Sequence, residues 1–227
     1  MAGASGKSIQ ETKYEEAVLA NFALWISRPS PAGFRLLFHA PDGDGDPAIQ
    51  QIVRCSPLLC HSQDVAARIT ADDVGRAAAF HRSLVAVSRD TAVWTAVRAA
   101  WAGLEMNNES IRYILFWIAL EALFGPDDAR EMTYRLAQRV AFFLGDDRSG
   151  VRRIFEAAKR GYGLRSKIVH GHWSEDSESE KRMAEAEDFV RRTLVRIITD
   201  VKLTDAFASK AREKFLDDLV FGDGTTA

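Results

Sequence analysis

The segment between Met183 and Val201 places an apolar side chain at every third or fourth position. This spacing follows the turn of an α-helix, so the segment has one apolar face that needs an apolar surface to cover it. The apolar positions are Met183, Ala186, Phe189, Val190, Leu194, Ile197, Ile198 and Val201. The rest of the chain must supply that surface, and a mainly α fold is the class that this segment favours.

Helix signals begin at Thr70 and continue almost to the end of the chain. Thr70 and Asp73 are typical of a capped helix start, Asn108 is a second candidate cap, and Gly145 is a candidate helix end. The predicted helices span residues 70–87, 90–104, 109–124, 127–145, 149–170, 183–201 and 204–219. Gly161-Tyr162-Gly163 is predicted to interrupt the fifth of them. We therefore expect a helical domain over residues 69–227.

Residues 1–68 have a different character. The first dozen residues are small and polar, which is typical of disorder. Residues 17–26 and 34–39 are apolar and aromatic, and a connection rich in proline and glycine separates them. This pattern suggests a pair of strands, so we expect a small N-terminal segment with loops and a possible β-hairpin.

Length and composition limit the class of protein. The chain has 227 residues, of which 47% are hydrophobic, and this is ample for a packed core. Its longest apolar run, residues 113–120, stops at Glu121 and is far shorter than the roughly 20 residues of a membrane span. No positively charged leader with a hydrophobic region opens the chain. We expect a cytoplasmic protein with no membrane partner.

Two segments superficially resemble metal sites. Cys55, Cys60 and His61 lie close together, but zinc sites use closer cysteine pairs and four ligands. Residues 41–47 alternate acidic residues with glycine, yet they lack the spacing and final glutamate of a calcium-binding EF-hand loop. His170 and His172 have no carboxylate or cysteine at ligand spacing. We expect no metal and no cofactor.

The richest chemistry lies between Tyr162 and His172. Arg165 offers a planar fork of donors that suits phosphate, and His170 can transfer protons near neutral pH. On a helix these two side chains point about 140° apart, although the long arginine can reach toward the imidazole, whereas Ser166 stacks with His170. Gly171 is expected to end the helix just after His170. Ile168 and Val169 are expected to anchor the segment to the core.

Charge is uneven around this segment. The formal net charge of -2 gives no global attraction to nucleic acid. Residues 152–167 nevertheless contain six cationic side chains and a single acidic one, Glu156, and an acidic stretch follows them. The cations are Arg152, Arg153, Lys159, Arg160, Arg165 and Lys167. The pattern suits a local phosphate site, although charge alone favours the alternative, a pair of solvated helix faces.

The sequence LRSKIVHG, with its Arg-x4-His arrangement from Arg165 to His170, resembles the Rx4-6H motif of HEPN domains, in particular the Apea-like branch. FWIALEALFG at residues 116–125 and TYRLAQRVAFFLG at residues 133–145 resemble earlier core helices of that branch. The resemblance covers roughly the C-terminal half of the chain. An isolated Arg-x4-His is uninformative, but three segments in this order are much more specific.

The resemblance implies a HEPN-like helical bundle that cuts single-stranded RNA without metal, usually as a homodimer whose two motifs meet across a two-fold axis. His170 would act as general acid or base, and Arg165 would bind the phosphate. Active members often carry asparagine, aspartate or histidine after the arginine, where this chain has Ser166. An endoribonuclease of bacterial anti-phage defence or a toxin system is one hypothesis, with a neutralising antitoxin or a sensor as a further partner. A catalytically inactive HEPN module for RNA binding or dimerisation is the alternative.

Other residues are supporting candidates with structural alternatives. Glu121 interrupts an apolar helix and needs a cation; it either orients Arg165 or forms a purely structural contact. Tyr162 either contacts RNA or plugs the core, and His172 either assists His170 or has no role. The three tryptophans at helical positions, Trp94, Trp101 and Trp117, favour the core over base stacking.

Overall fold

The computed structural model describes residues 9–30, 36–39, 51–54, 58, 60, 68–126, 128, 131–173 and 176–222. The fold is mainly α, as predicted. The chain divides into two compact units, of which the first comprises residues 1–59 and 64–85 and the second residues 60–63 and 86–227. Residues 71–85, which are helical, thus belong to the first unit, and the boundary predicted at residue 68 is wrong.

The described residues of the first unit form four elements: α1 (Ile9–Ser27), β1 (Leu36–His39), β2 (Gln51–Arg54) and α2 (Ala71–Ala86). The two strands pair antiparallel, with Leu36 opposite Arg54 and His39 opposite Gln51. An antiparallel pair is therefore present, but the strand expected at 34–39 pairs with a segment that the sequence analysis did not identify. The loop at 41–47 and most of the cluster around Cys60 lie outside the described residues.

The strand predicted for residues 17–26 is wrong, because these residues form the second half of α1. The helix also includes residues 9–12, which were expected to be disordered. Leu19, Phe22, Ala23 and Ile26 are buried at helical three- and four-residue steps. An uninterrupted apolar run does not distinguish a buried strand from a helix, and here the helical spacing of the largest side chains is the decisive feature.

Helix α2 begins as predicted. The Thr70 hydroxyl accepts a hydrogen bond from the backbone N–H of Asp73, and the Asp73 carboxylate accepts one from the backbone N–H of Thr70. The Thr70 hydroxyl also donates to the Asp73 carboxylate at 2.7 Å, and this hydrogen bond, together with the one from the backbone N–H of Thr70, holds the pKa of Asp73 below its usual value. Ser27 on α1 donates to the backbone carbonyl of Asp73 at 2.8 Å, which ties the start of α2 to the end of α1.

The second unit is built from seven described helices. These are α3 (Ala92–Glu105), α4 (Glu109–Phe124), α5 (Met132–Leu144), α6 (Arg148–Val169), α7 (Ser177–Thr199), α8 (Val201–Ala208) and α9 (Arg212–Phe221). Helix α3 packs along α4, and α5 packs along α6. A short connection joins the two helices of each pair, so each pair is a helical hairpin. Helix α4 also contacts α5, α6 and α7. It is the central element, which explains why its sequence is apolar almost throughout.

Most helix ends follow the sequence signals. Asn108 caps α4 by accepting from the backbone N–H of Ile111 at 3.0 Å. The sequence offers Asp90 as the cap of the helix predicted at 90–104, but the cap of α3 is the neighbouring Thr91, and Asp90 accepts instead from Ser88. Helix α5 begins at Met132, later than predicted, and ends at Gly145 as expected.

The C-terminal part of the prediction needs correction. Helix α7 buries its regular apolar face as expected, but Val201 lies beyond it and is 77% exposed. The single helix predicted over 204–219 is two helices, α8 and α9, with residues 209–211 between them. The Asp200 carboxylate accepts from the backbone N–H groups of the first turn of α8, and a new helix therefore starts there.

Among the described helices, none carries an apolar stretch long enough to cross a lipid bilayer.

Candidate functional site

Helix α6 carries most of the predicted site residues and runs without a break through both glycines. The interruption predicted at residues 161–163 is therefore wrong. A Cβ atom on Gly161 would lie 2.5 Å from Cζ2 of Trp117 on α4, whereas a Cβ on Gly163 would meet nothing within 4 Å. Gly161 thus allows α6 to approach α4 closely, and its role is in packing rather than in helix termination.

The end of α6 has the form expected from Gly171. His170 is the C-cap residue, and Gly171 adopts a left-handed conformation with φ of 87°. The backbone N–H of Gly171 donates to the carbonyl of Ile168, and that of His172 donates to the carbonyl of Lys167. These two hydrogen bonds form a Schellman motif, which fixes where the chain leaves the helix. His170 is exposed at this fixed end.

The chain turns back after the Schellman motif. Trp173 lies with its ring centroid 6.0 Å from that of Tyr113 on α4. Tyr113 is fully buried and donates a hydrogen bond to the carbonyl of Gly161. The segment that carries His170 and His172 is therefore held on one side by the helix and on the other by an aromatic contact. Sequence reasoning missed Tyr113 and Trp173.

Arg165 forms an ion pair with Glu121 on α4. Its Nη2 lies 3.0 Å from Glu121 Oε1 and donates a hydrogen bond to Oε2 at 3.3 Å. Both side chains are 24% exposed, so the pair lies at the boundary between core and solvent. The expected arginine partner of Glu121 is thus present, and the guanidinium is directed toward α4.

Tyr162 completes a cluster with these two residues. Its ring is buried, lies edge-on to that of Trp117 with centroids 5.6 Å apart, and lies 5.5 Å from Cζ of Arg165. Its hydroxyl lies close to the Glu121 carboxylate. Burial, and then the neighbouring Glu121 carboxylate, raise the pKa of Tyr162 to about 12. The phenol therefore remains a hydrogen-bond donor at neutral pH.

The opposite face of α6 is exposed and cationic. We call this face the α6 basic stripe; it consists of Arg152, Arg153, Lys159, Arg160 and Lys167. Glu156 is the acidic residue within it and lies 3.9 Å from Arg160. Both groups are about half exposed, so water screens this contact. The stripe keeps most of its positive charge available to a polyanion.

Apart from the rest of the α6 basic stripe, the predicted site residues fall into two groups. Glu121, Tyr162 and Arg165 contact one another at the crossing of α4 and α6. Ser166, Lys167, His170 and His172 are exposed at the end of α6. Ile168 and Val169 were both expected to anchor this segment to the core. Ile168 is buried as predicted, but the prediction for Val169 is wrong, because this side chain is 54% exposed.

Arg165 and His170 lie five residues apart on one helix, or about 7.5 Å along its axis. The arginine is turned toward α4, and the histidine lies at the solvent-exposed end. An RNA phosphate at this end of α6 would have an imidazole beside it and a guanidinium within reach of a side-chain movement. This arrangement can combine proton transfer with charge stabilisation at a phosphate.

The tryptophans are mainly structural, as expected. Trp94 and Trp117 are buried, and Trp101 is partly exposed. Within the described part of the chain, no group of three or more histidine, cysteine, aspartate or glutamate side chains has an arrangement that could hold a metal ion.

No protein-family model, curated protein or solved structure matches this chain.

Proposed function

We propose that this protein is a metal-independent endoribonuclease that cuts single-stranded RNA with Arg165 and His170. One observation carries the proposal: the Schellman motif holds His170 exposed at the end of the same helix that carries Arg165 and the α6 basic stripe. A proton-transfer group, a phosphate-binding group and a polyanion-binding surface thus share one rigid element. The resemblance of LRSKIVHG to the HEPN motif gives these groups their proposed roles.

In the proposed reaction, an RNA strand binds along the α6 basic stripe and brings a phosphodiester to the end of the helix. The His170 imidazole removes the proton of a ribose 2'-hydroxyl or protonates the 5'-oxygen leaving group. Arg165 binds the phosphate and offsets the charge that grows on it in the transition state. The 2'-oxygen forms a bond to phosphorus as the bond to the 5'-oxygen breaks, so the product is a 2',3'-cyclic phosphate.

A single imidazole supplies one proton-transfer group, whereas this reaction needs an acid and a base. A homodimer that brings two copies of the motif together would supply both, and one isologous surface is enough to build it. We propose this assembly, a cytoplasmic location and a role in anti-phage defence or a toxin system. A neutralising antitoxin or a sensor protein is a further proposed partner.

The alternative is an inactive HEPN-like module that binds RNA or dimerises. The ion pair between Arg165 and Glu121 favours this alternative, because it already occupies one end of the guanidinium. Ser166 favours it too, since active members of the family often carry a stronger polar group at that position. Under this reading the α6 basic stripe would bind phosphates, and no bond would be cut.

A cleavage assay separates the two functions. Purified protein is incubated with end-labelled single-stranded RNA in a chelator, beside His170→Ala and Arg165→Ala. His170→Ala should lower the rate by about 10²- to 10⁴-fold, the usual effect of losing a general acid or base, while RNA binding stays near that of the parent. Arg165→Ala should weaken both binding and cleavage, because it removes a charge-assisted contact with phosphate.

His172→Ala is the matched control, since it removes the same exposed side chain two residues away and should keep most of the parent activity. A parent that binds RNA but never cuts it would support the inactive module. Cleavage that disappears in chelator, or that His170→Ala leaves unchanged, would refute the proposed mechanism.

A further inference from the structure

The contact between Arg165 and Glu121 uses one end of the guanidinium. A single nitrogen, Nη2, lies within 3.3 Å of both carboxylate oxygens, so the pair is end-on rather than the two-nitrogen fork of a strong arginine-carboxylate pair. The Nε of Arg165 is buried and finds no hydrogen-bond acceptor among the residues that the structure describes. An unsatisfied buried donor is unfavourable, and this position therefore does not use the full binding capacity of the guanidinium.

Glu121 does not depend on Arg165 alone. The Tyr162 hydroxyl lies beside its carboxylate, and the side chain is 24% exposed to water, although Oε1 itself is buried and has no hydrogen-bond partner among the described residues. If the guanidinium moves away, the phenol stays beside the carboxylate and water can enter the space that the guanidinium leaves. The ion pair can therefore open without leaving a buried, unpaired charge.

We propose that Glu121 competes with RNA phosphate for Arg165 and holds the arginine in a resting position until RNA binds. This inference rests on the proposed function, since it requires that Arg165 binds phosphate. A carboxylate and a phosphate both offer negatively charged oxygen acceptors to the guanidinium. The phosphate must take Nη2 from Glu121, and the free energy of the ion pair is subtracted from the free energy of RNA binding.

Because of this competition, only a ligand that binds tightly enough to displace Glu121 can occupy Arg165. RNA held on the α6 basic stripe must pass around the end of α6 to reach Arg165 on the opposite face, and there it presents its phosphate at high local concentration and can displace Glu121. A free phosphate ion or a very short oligonucleotide lacks that advantage. Glu121 would therefore favour strands that contact the stripe over small phosphates that reach only the end of the helix.

The test compares four proteins in the His170→Ala background, in which RNA stays intact during the measurement. These are the background protein and the same protein with Glu121→Gln, with Arg165→Ala, or with both. The dissociation constant for one fluorescent single-stranded RNA is measured by anisotropy at fixed, low salt. Glutamine keeps the size and the acceptor oxygen of the side chain but removes its charge. Thermal denaturation of each variant checks that it is folded.

Glu121→Gln should tighten RNA binding by about 2- to 5-fold, the size expected when a partly exposed ion pair no longer competes. The gain should vanish when Arg165 is alanine, because nothing is left for Glu121 to hold. Glu156→Gln is the matched control: it also removes one negative charge near the RNA, but its gain should persist without Arg165.

Tyr162→Phe provides a test of opposite sign that does not depend on how glutamine behaves at position 121. It removes the hydroxyl that lies beside Glu121, so the carboxylate should hold Arg165 more firmly and RNA binding should weaken. An increase in affinity for Tyr162→Phe would count against the competition.

The outcomes distinguish this inference from the proposed function. If Arg165→Ala weakens binding and cleavage but Glu121→Gln weakens binding or leaves it unchanged, then Glu121 does not compete and the nuclease proposal stands. If Arg165→Ala alters neither binding nor cleavage, the assignment of Arg165 as the phosphate ligand fails, and the competition fails with it.

Discussion

The hydroxyl of Tyr113 donates a 2.8 Å hydrogen bond to the backbone carbonyl of Gly161, across the contact between α4 and α6. The same glycine lies so close to Trp117 that a methyl group in place of its hydrogen would overlap the indole. Two large aromatic side chains of α4 thus pack directly on the backbone of α6. Their contact sets the distance between the helices, and so brings Arg165 within reach of Glu121.

Gly161→Ala should destabilise the protein by about 1–2 kcal/mol. Overpacking against Trp117 costs about 1–3 kcal/mol, and the better helix propensity of alanine returns up to about 1 kcal/mol. Gly163→Ala is the matched control, because its Cβ meets nothing and it should stabilise the helix by about 0.5–1 kcal/mol. Urea denaturation of both variants measures the difference. Equal effects would show that the close approach of α4 and α6 is not needed.

Gly171→Ala should cost about 1–2 kcal/mol, because alanine is strained at a φ of 87°. Gly171→Asn should cost less, since asparagine tolerates the left-handed conformation better. If His170 needs its fixed position for catalysis, Gly171→Ala should also slow RNA cleavage more than Gly171→Asn does. Stability from urea denaturation and the cleavage rate are measured on the same preparations. A variant with full activity but lower stability would separate the Schellman motif from catalysis.

Tyr162 should make the folded state sensitive to alkaline pH. Its pKa of about 12 in the folded protein exceeds the ordinary value of about 10, so the folded state holds the phenolic proton more tightly. This stabilisation is complete below about pH 10 and is lost as the pH rises to about 12. The free energy of unfolding of the parent should exceed that of Tyr162→Phe near pH 9, and the gap should close toward pH 12.

Tyr134→Phe controls for the loss of a phenol as such, because Tyr134 is exposed. A gap between the parent and Tyr162→Phe that stays constant from about pH 9 to about pH 12 would contradict the assignment.

The α6 basic stripe should carry the salt dependence of RNA binding. Replacing Arg152 and Lys159 with glutamate should weaken binding and lower the slope of log K against log salt by about 0.7 for each phosphate that the protein no longer neutralises. The same replacement at Lys202 and Lys214, exposed cations of α8 and α9, should leave binding unchanged. Equal weakening by both double replacements would show that RNA binding is spread over the surface.

Much of the helical fold could be predicted from local signals. The apolar spacing of α7 and the cap at Asn108 are short-range patterns that one helix specifies on its own. The end of α5 could be predicted in the same way, because Gly145 is a local signal for the end of a helix. Such features need no knowledge of the neighbouring helices.

The errors arose where a neighbouring element decides the structure. Gly161 has the sequence signature of a helix break, but the close contact with Trp117 gives the glycine a packing role within an unbroken helix. Gly161 belongs to the buried face of α6 together with Ile154, Ala158 and Tyr162. A small residue on the buried face of a helix was the sequence signal that could have predicted this packing role. The division between α8 and α9 was missed because it depends on a local polar contact, in which the Ser209 hydroxyl accepts from the backbone N–H of Ala211, and apolar periodicity does not reveal such a contact.

The arginine partner of Glu121 could be predicted from the sequence. That Tyr162 also lies against Glu121 could not, because the meeting point depends on how α4 crosses α6. The contact of Trp173 with Tyr113 was beyond sequence reasoning for the same reason: the two residues are far apart in the chain.

Because α6 is unbroken, it also fixes the distances between the cations along its length. Arg152 and Lys167 lie 15 residues apart on one rigid element, which corresponds to about 22 Å of helix axis at about 1.5 Å per residue. A hinge at the two glycines would have let these charges adjust to a short ligand, and a continuous helix does not. The length of a bound polyanion, in addition to its charge, therefore sets how many of these cations it can contact at once.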